Sequence, residues 1–78
     1  MKLAYSSLFL RSFAKLPQSI QEIFRTKESI FKSNPFDPRL RTHKLKGRDE
    51  WSFLVTYDIR VIFVFLKNTA LLVNIGDH

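Results

Sequence analysis

Residues 44–66 read KLKGRDEWSFLVTYDIRVIFVFL, and the alternation within this stretch decides the fold. Trp51, Phe53, Val55 and Tyr57 alternate with Ser52, Leu54 and Thr56, which is the period of a half-buried β-strand. Beyond Asp58, the residues Ile59, Val61, Phe63 and Phe65 alternate with Arg60, Ile62, Val64 and Leu66. This second segment is apolar on both faces except at Arg60. Together they predict two strands that share a two-residue turn and are entered from a basic loop. A guanidinium just past a turn in an apolar strand must reach solvent, a carboxylate or an anionic ligand, because an unpaired buried charge is costly. Asp58 is the nearest carboxylate. A local Asp58–Arg60 pair and a ligand site both satisfy these residues.

Working outward, Lys67-Asn68-Thr69 reads as a polar turn and residues 70–75 as a third strand. Its alternation sets Leu71, Val73 and Ile75 on one face and Ala70, Leu72 and Asn74 on the other. Upstream, residues 39–48 carry Arg39, Arg41, Lys44, Lys46 and Arg48 and no acid, so most of the net charge of +6 is concentrated there. Such a cluster suits a polyanionic partner, nucleic acid or an acidic protein; the plainer reading is a solvated loop that aids solubility. Asn34-Pro35 ends a helix and Asp37-Pro38 keeps the next segment extended.

The first half is helical. Ser6 and Ser7 are suitable caps for a helix carrying Leu8, Phe9, Phe13 and Leu16 at helical spacing. Pro17 breaks that helix and can occupy the first position of the next. Ile20, Ile23, Phe24, Ile30 and Phe31 mark the apolar face of the second helix, with Gln21, Glu22, Arg25 and Glu28 on its wet face. Residues 2–5 offer a short first strand. The order predicts an α+β two-layer fold, an N-terminal helical hairpin packed on a small antiparallel β-sheet, in which residues 1–78 form one domain. The helices seal one sheet face, and the other stays open, lined by Arg60 and the basic segment.

Composition narrows the class. A chain of 78 residues with no cysteine cannot use disulfides or a thiolate metal site, so its core rests on its eight phenylalanines. No apolar run is long enough for a membrane span, and the N-terminus lacks the pattern of a signal peptide. A cytoplasmic protein is therefore expected.

In order and spacing the chain resembles the RelE/ParE toxin superfamily of type II toxin–antitoxin systems. The match covers nearly the whole chain. It is carried by FLRSFAKLP at residues 9–17, the Asn34-Pro35 break, Leu45-Lys46-Gly47, YDIRVIF at residues 57–63 and the closing Ile75-Gly76-Asp77-His78. The resemblance implies a histidine-bearing, RelE-like mRNA interferase. Such a toxin is a ribosome-dependent endoribonuclease that cleaves by attack of the ribose 2′-hydroxyl on the adjacent phosphate, without metal or other cofactor. It also implies a cognate acidic antitoxin, with the ribosome and mRNA as further partners and no membrane association.

By position, Arg60 matches the strand arginine set against the scissile phosphate, a role suited to its planar fork. His78 matches the histidine of a terminal G-x-H, an acid–base group. His43 precedes the L-K-G segment where some members also carry a histidine, and Asp58 falls at an acidic position before the phosphate-facing part of the strand. The resemblance assigns RNA contacts to Arg39, Arg41, Lys44, Lys46 and Arg48. Two features depart from the pattern. Strand 51–57 lacks the basic residue that several active members carry there. Members also usually continue past the position of His78, often to an aromatic that stacks on a base. Two other functions fit the resemblance: a ParE-like inhibitor of DNA gyrase, and a degenerate relative that only binds antitoxin.

Overall fold

The computed structural model describes residues 1–77 and forms a five-stranded sheet with two helices on one face. In chain order the elements are β1 (Lys2–Tyr5), α1 (Ser7–Ala14), α2 (Gln18–Ser33), a single 3₁₀ turn (Pro38–Leu40), β2 (His43–Lys44), β3 (Trp51–Leu54), β4 (Ile59–Leu66) and β5 (Thr69–Asp77). The strands lie in the order β1-β5-β4-β3-β2. The antiparallel meander of β3, β4 and β5 forms as its alternation predicts. Two short strands extend it. β1 joins β5 in parallel, and the basic segment, read as a loop, contributes β2 antiparallel to β3.

The helices start and stop for local reasons. Ser6 Oγ accepts from the Phe9 N–H at 2.9 Å and donates to the Val73 carbonyl at 2.6 Å, capping α1 while fastening it to β5. Pro17 is the N-cap of α2 rather than its first residue, with extended ψ. Gln21 does not face water as its place on the wheel suggested. Its amide donates to the carbonyls of Phe13 and Leu16 at 3.0 and 3.1 Å, satisfying acceptors left over where α1 ends.

The core lies between this helical layer and one sheet face. Phe9, Phe24, Phe31, Phe53 and Phe63 are buried with Leu40, Val61 and Leu72. Phe31 of α2 stacks on Phe53 of β3, with ring centroids 4.6 Å apart, and meets Phe63 of β4 edge-on at 4.8 Å. Among the described residues no helix is long and apolar enough to cross a membrane.

Two further details differ from the sequence reading. The β3–β4 connection is longer than two residues: β3 stops at Leu54 and residues 55–58 make the turn. The Thr56 hydroxyl accepts from the backbone N–H groups of Asp58 and Ile59, taking over from the ladder, as threonine does in turns. Tyr57, read as part of the alternating strand, is instead 87% exposed at the turn. The second difference is a β-bulge. Ile62 pairs with Asn74 but Phe63 with Leu72, so Val73 is an extra residue in β5. One extra residue reverses the faces beyond it. Ala70 and Leu72 are therefore buried together with Ile75, rather than on opposite sides.

Candidate functional site

The sheet face away from the helices is organised in rows. Cross-strand partners in an antiparallel ladder point to the same side. The registers therefore set Leu54, Arg60 and Gly76 in one row and His43, Ser52, Ile62 and Asn74 in the next. Arg60 lies on β4, the middle strand. Asn74 and Gly76 share its face because the bulge at Val73 has shifted their phase.

The β2–β3 loop folds over one side of these rows. The Leu45 N–H donates to the Glu50 carbonyl at 2.9 Å and the Arg48 N–H to the Leu45 carbonyl at 3.2 Å. Gly47 makes this turn with φ +72, a conformation that favours glycine. Lys46 and Arg48 are thereby brought beside Arg60. The result is a cleft of about 350 Å³ whose walls include Leu45, Lys46, Arg48, Arg60, Asn74 and Gly76.

Arg60 is the polar group that this cleft leaves unsatisfied. Its Nε is buried and has no hydrogen-bond partner among the described residues. The local pair with Asp58 does not form. The ion pairs among the described residues are Arg25–Glu28, Arg39–Asp37 and Arg48–Glu50. A buried donor on a permanent cation lacks the compensation that such groups usually receive, and an anion with two acceptor oxygens supplies it. Phosphate and carboxylate both qualify.

The other expected site residues separate into groups. His43 faces the same side as Arg60, two strands and one row away, about 12 Å along the sheet. Its Nδ1 lies 3.2 Å from the Arg41 carbonyl oxygen and its Nε2 3.5 Å from Ser52 Oγ. A carbonyl only accepts, so this contact puts the proton on Nδ1 and leaves Nε2 an acceptor that faces the Ser52 hydroxyl. Asp58 is elsewhere. It lines a separate cleft of about 480 Å³ with Leu16, Pro17, Ile20 and Ile59. Asp77 borders both clefts. His78 lies outside the described residues.

The basic segment does not act as one patch. Lys46 and Arg48 reach the Arg60 cleft, and Arg48 is also ion-paired with Glu50. Arg39 is closed onto Asp37 through two parallel hydrogen bonds, Nε to Oδ1 at 3.0 Å and Nη2 to Oδ2 at 2.9 Å. This fork holds the Asp37 carboxyl down at about 2. Arg41 follows the 3₁₀ turn in a left-handed conformation, φ 51, and is exposed. Lys44, opposite Trp51, points to the other side of β2 and borders an apolar hollow with Trp51, Phe65 and Leu66. Sequence reasoning missed Asn74 and Gly76 as cleft residues, since only the bulge reveals their face. Asp37 and Glu50, standing just outside residues 39–48, were the available signal that two of the five cations have local partners.

No protein-family model and no curated protein matches the sequence. Solved structures do match in shape. A YoeB/ParE toxin from Agrobacterium tumefaciens superposes with a TM-score of 0.82 at 18% identity, covering 100% of this chain and 99% of that one. The chain has the RelE/ParE toxin fold. YafQ from E. coli strain BL21(DE3) gives a TM-score of 0.79 at 17% identity, over 99% of this chain and 92% of YafQ. The archaeal RelE–RelB complex from Pyrococcus horikoshii gives 0.79 at 16% identity, over 97% and 92%. At these identities the likeness is one of fold.

Proposed function

We propose that this chain is the toxin of a type II toxin–antitoxin pair and acts in the cytoplasm as a ribosome-dependent mRNA endonuclease. One observation carries this reading: the Arg60 guanidinium, its Nε buried and unpartnered, lies in a cleft flanked by Lys46 and Arg48 on a RelE/ParE fold. A phosphodiester is an anion that answers to this arrangement.

The reaction forms a bond from the ribose 2′-oxygen to phosphorus and breaks the bond from phosphorus to the 5′-oxygen. Arg60 holds two non-bridging oxygens and stabilises the charge that grows on them as phosphorus becomes five-coordinate. Lys46 and Arg48 bind the flanking phosphates. His43 is the base. The Arg41 carbonyl holds its proton on Nδ1, leaving Nε2 to take the 2′-hydroxyl proton. His78, which follows Asp77 in sequence, supplies the proton for the departing 5′-oxygen. Asp58, on the other cleft, is assigned no step. With charge stabilisation and proton transfer both assigned to side chains, no step calls for a metal or cofactor. The messenger must be presented extended and with its bases unpaired, which the ribosome provides.

The net charge of +6 favours an acidic antitoxin as the resting partner. Among the matched structures are complexes of two proteins, RelE with RelB and YafQ with DinJ. Induced expression tests the reading. Growth arrest with new 5′-hydroxyl ends in translated messages is the expected result. Arrest accompanied by gyrase-dependent DNA breaks and intact messages would replace it with gyrase inhibition. Absence of arrest, with an antitoxin still bound, would leave a relative that binds without acting.

A further inference from the structure

Gly76 stands directly across from Arg60 in the β4–β5 ladder, yet its backbone gives no reason for glycine. It does not have the positive φ that makes glycine necessary at Gly47. Nor does a close neighbour exclude a side chain. A Cβ built at Gly76 would meet no heavy atom within 4 Å outside its chain neighbours. Glycine also weakens a strand, because it loses the most backbone freedom on folding and brings nothing to pack. The sheet therefore carries an unfavourable residue at a position where the backbone and its neighbours leave room for a Cβ.

The cleft supplies the reason. Residues paired across a ladder have their Cβ positions roughly 5 Å apart on the same side of the sheet. A side chain at position 76 would rise beside the Arg60 stem, in the space bordered by Asn74 and by Lys46 and Arg48 from the loop. Arg60 Nε is itself shielded, so an anion would reach the guanidinium through this cleft, which bulk at position 76 would narrow.

We propose that Gly76 is a positioning residue: by having no side chain it keeps open the approach of a phosphodiester to Arg60, at the expense of strand stability. This inference rests on the reading of Arg60 as a phosphate ligand and assigns to Gly76 the access that reading requires. Glycine here selects for function against fold, so substitution moves the two in opposite directions. Larger side chains stabilise the sheet and close the cleft, in order of size.

The test compares the parent with Gly76→Ala and Gly76→Val. Thermal unfolding is followed alongside the Arg60 Nε–H resonance during titration with inorganic phosphate, and mRNA cleavage is measured on expression. The midpoint of unfolding should rise by about 2–6 °C in the variants. Phosphate affinity at Arg60 should fall modestly in Gly76→Ala and by about tenfold or more in Gly76→Val, the loss of one charge-assisted contact. Cleavage should fall in the same order. Unchanged phosphate affinity in Gly76→Val would overturn the proposal. So would a drop in the unfolding midpoint in both variants, which would make the glycine structural. If phosphate leaves the Arg60 resonance of the parent unmoved, the phosphate reading fails, and the inference with it. If the parent binds phosphate at Arg60 but cuts no message, the nuclease reading fails and the role of Gly76 stands.

Discussion

Arg48 is ion-paired with Glu50 beside the cleft that holds Arg60, so one of the cationic walls is held by a carboxylate. The pair is exposed at Arg48 and half-buried at Glu50, and contributes little to stability, on the order of 0–1 kcal/mol. Its effect on ligands is larger, because a bound polyanion must compete with Glu50 for the same guanidinium. Glu50→Gln should strengthen binding to single-stranded RNA and steepen its salt dependence by somewhat less than one unit in the log–log slope. Anisotropy titrations over a range of salt concentrations measure both. Weaker binding in this variant would mean that Glu50 positions Arg48 rather than restrains it.

Arg60 separates function from stability in the same way. Its Nε has no partner among the described residues, so removing it leaves no broken pair behind. Arg60→Met should lose growth arrest while keeping or raising the unfolding midpoint, since an apolar replacement for an unsatisfied donor is neutral or stabilising. Arg60→Lys should recover only part of the activity, having no bidentate fork. Should the Met variant unfold, the guanidinium holds the sheet together and the anion site is lost as an explanation.

Phe31 is the residue through which α2 packs on β3 and β4. It is fully buried between the rings of Phe53 and Phe63. Phe31→Ala should cost about 3–5 kcal/mol. A domain of this size has little more than that to lose, so the variant should be largely unfolded at room temperature by circular dichroism. Phe31→Leu should fold with a lowered urea midpoint. A stable Ala variant would show that the layer is held elsewhere.

Tyr5 provides an alkaline signature. Burial, followed by its hydrogen bond to Glu28, raises the phenol from 10.0 to about 12. The folded state thus holds this proton more tightly than the unfolded chain. The contribution is complete below pH 10 and is lost as pH rises from 10 through 12. Tyrosinate absorbance should show a step near pH 12 that Tyr5→Phe removes, and the urea midpoint of the parent should fall over that interval more steeply than that of the variant. Equal slopes would disconnect Tyr5 from the alkaline response.

What could be read from the sequence was what local rules determine. The alternation read over residues 51–57 and 59–66, the Ser6 cap and the break at Pro17 each depend on a few adjacent residues; the strands, the cap and the break form, the first strand stopping short at Leu54. Non-local features escaped. β2 has two residues and acquires its identity only from pairing with Ser52 and Trp51. The extra residue at Val73 is set by the opposing strand and carries no signature of its own. Arg60 stood out because one charge interrupted an apolar run. Gly76 did not, because a missing side chain has meaning only once its cross-strand neighbour is known.

The parallel seam between β1 and β5 also governs when this protein can come into being. Residues 2–5 are made well before their ladder partners, residues 69–72, and the cap on α1 needs the Val73 carbonyl. Such long-range pairing cannot begin while the distal segment is unmade, and it closes the largest loop the chain contains. The edge of β4 therefore stays open, and Arg60 has no Gly76 to face, until residues 69–77 have been translated. A nascent chain is consequently without its anion cleft until β5 has been made and has paired with β4.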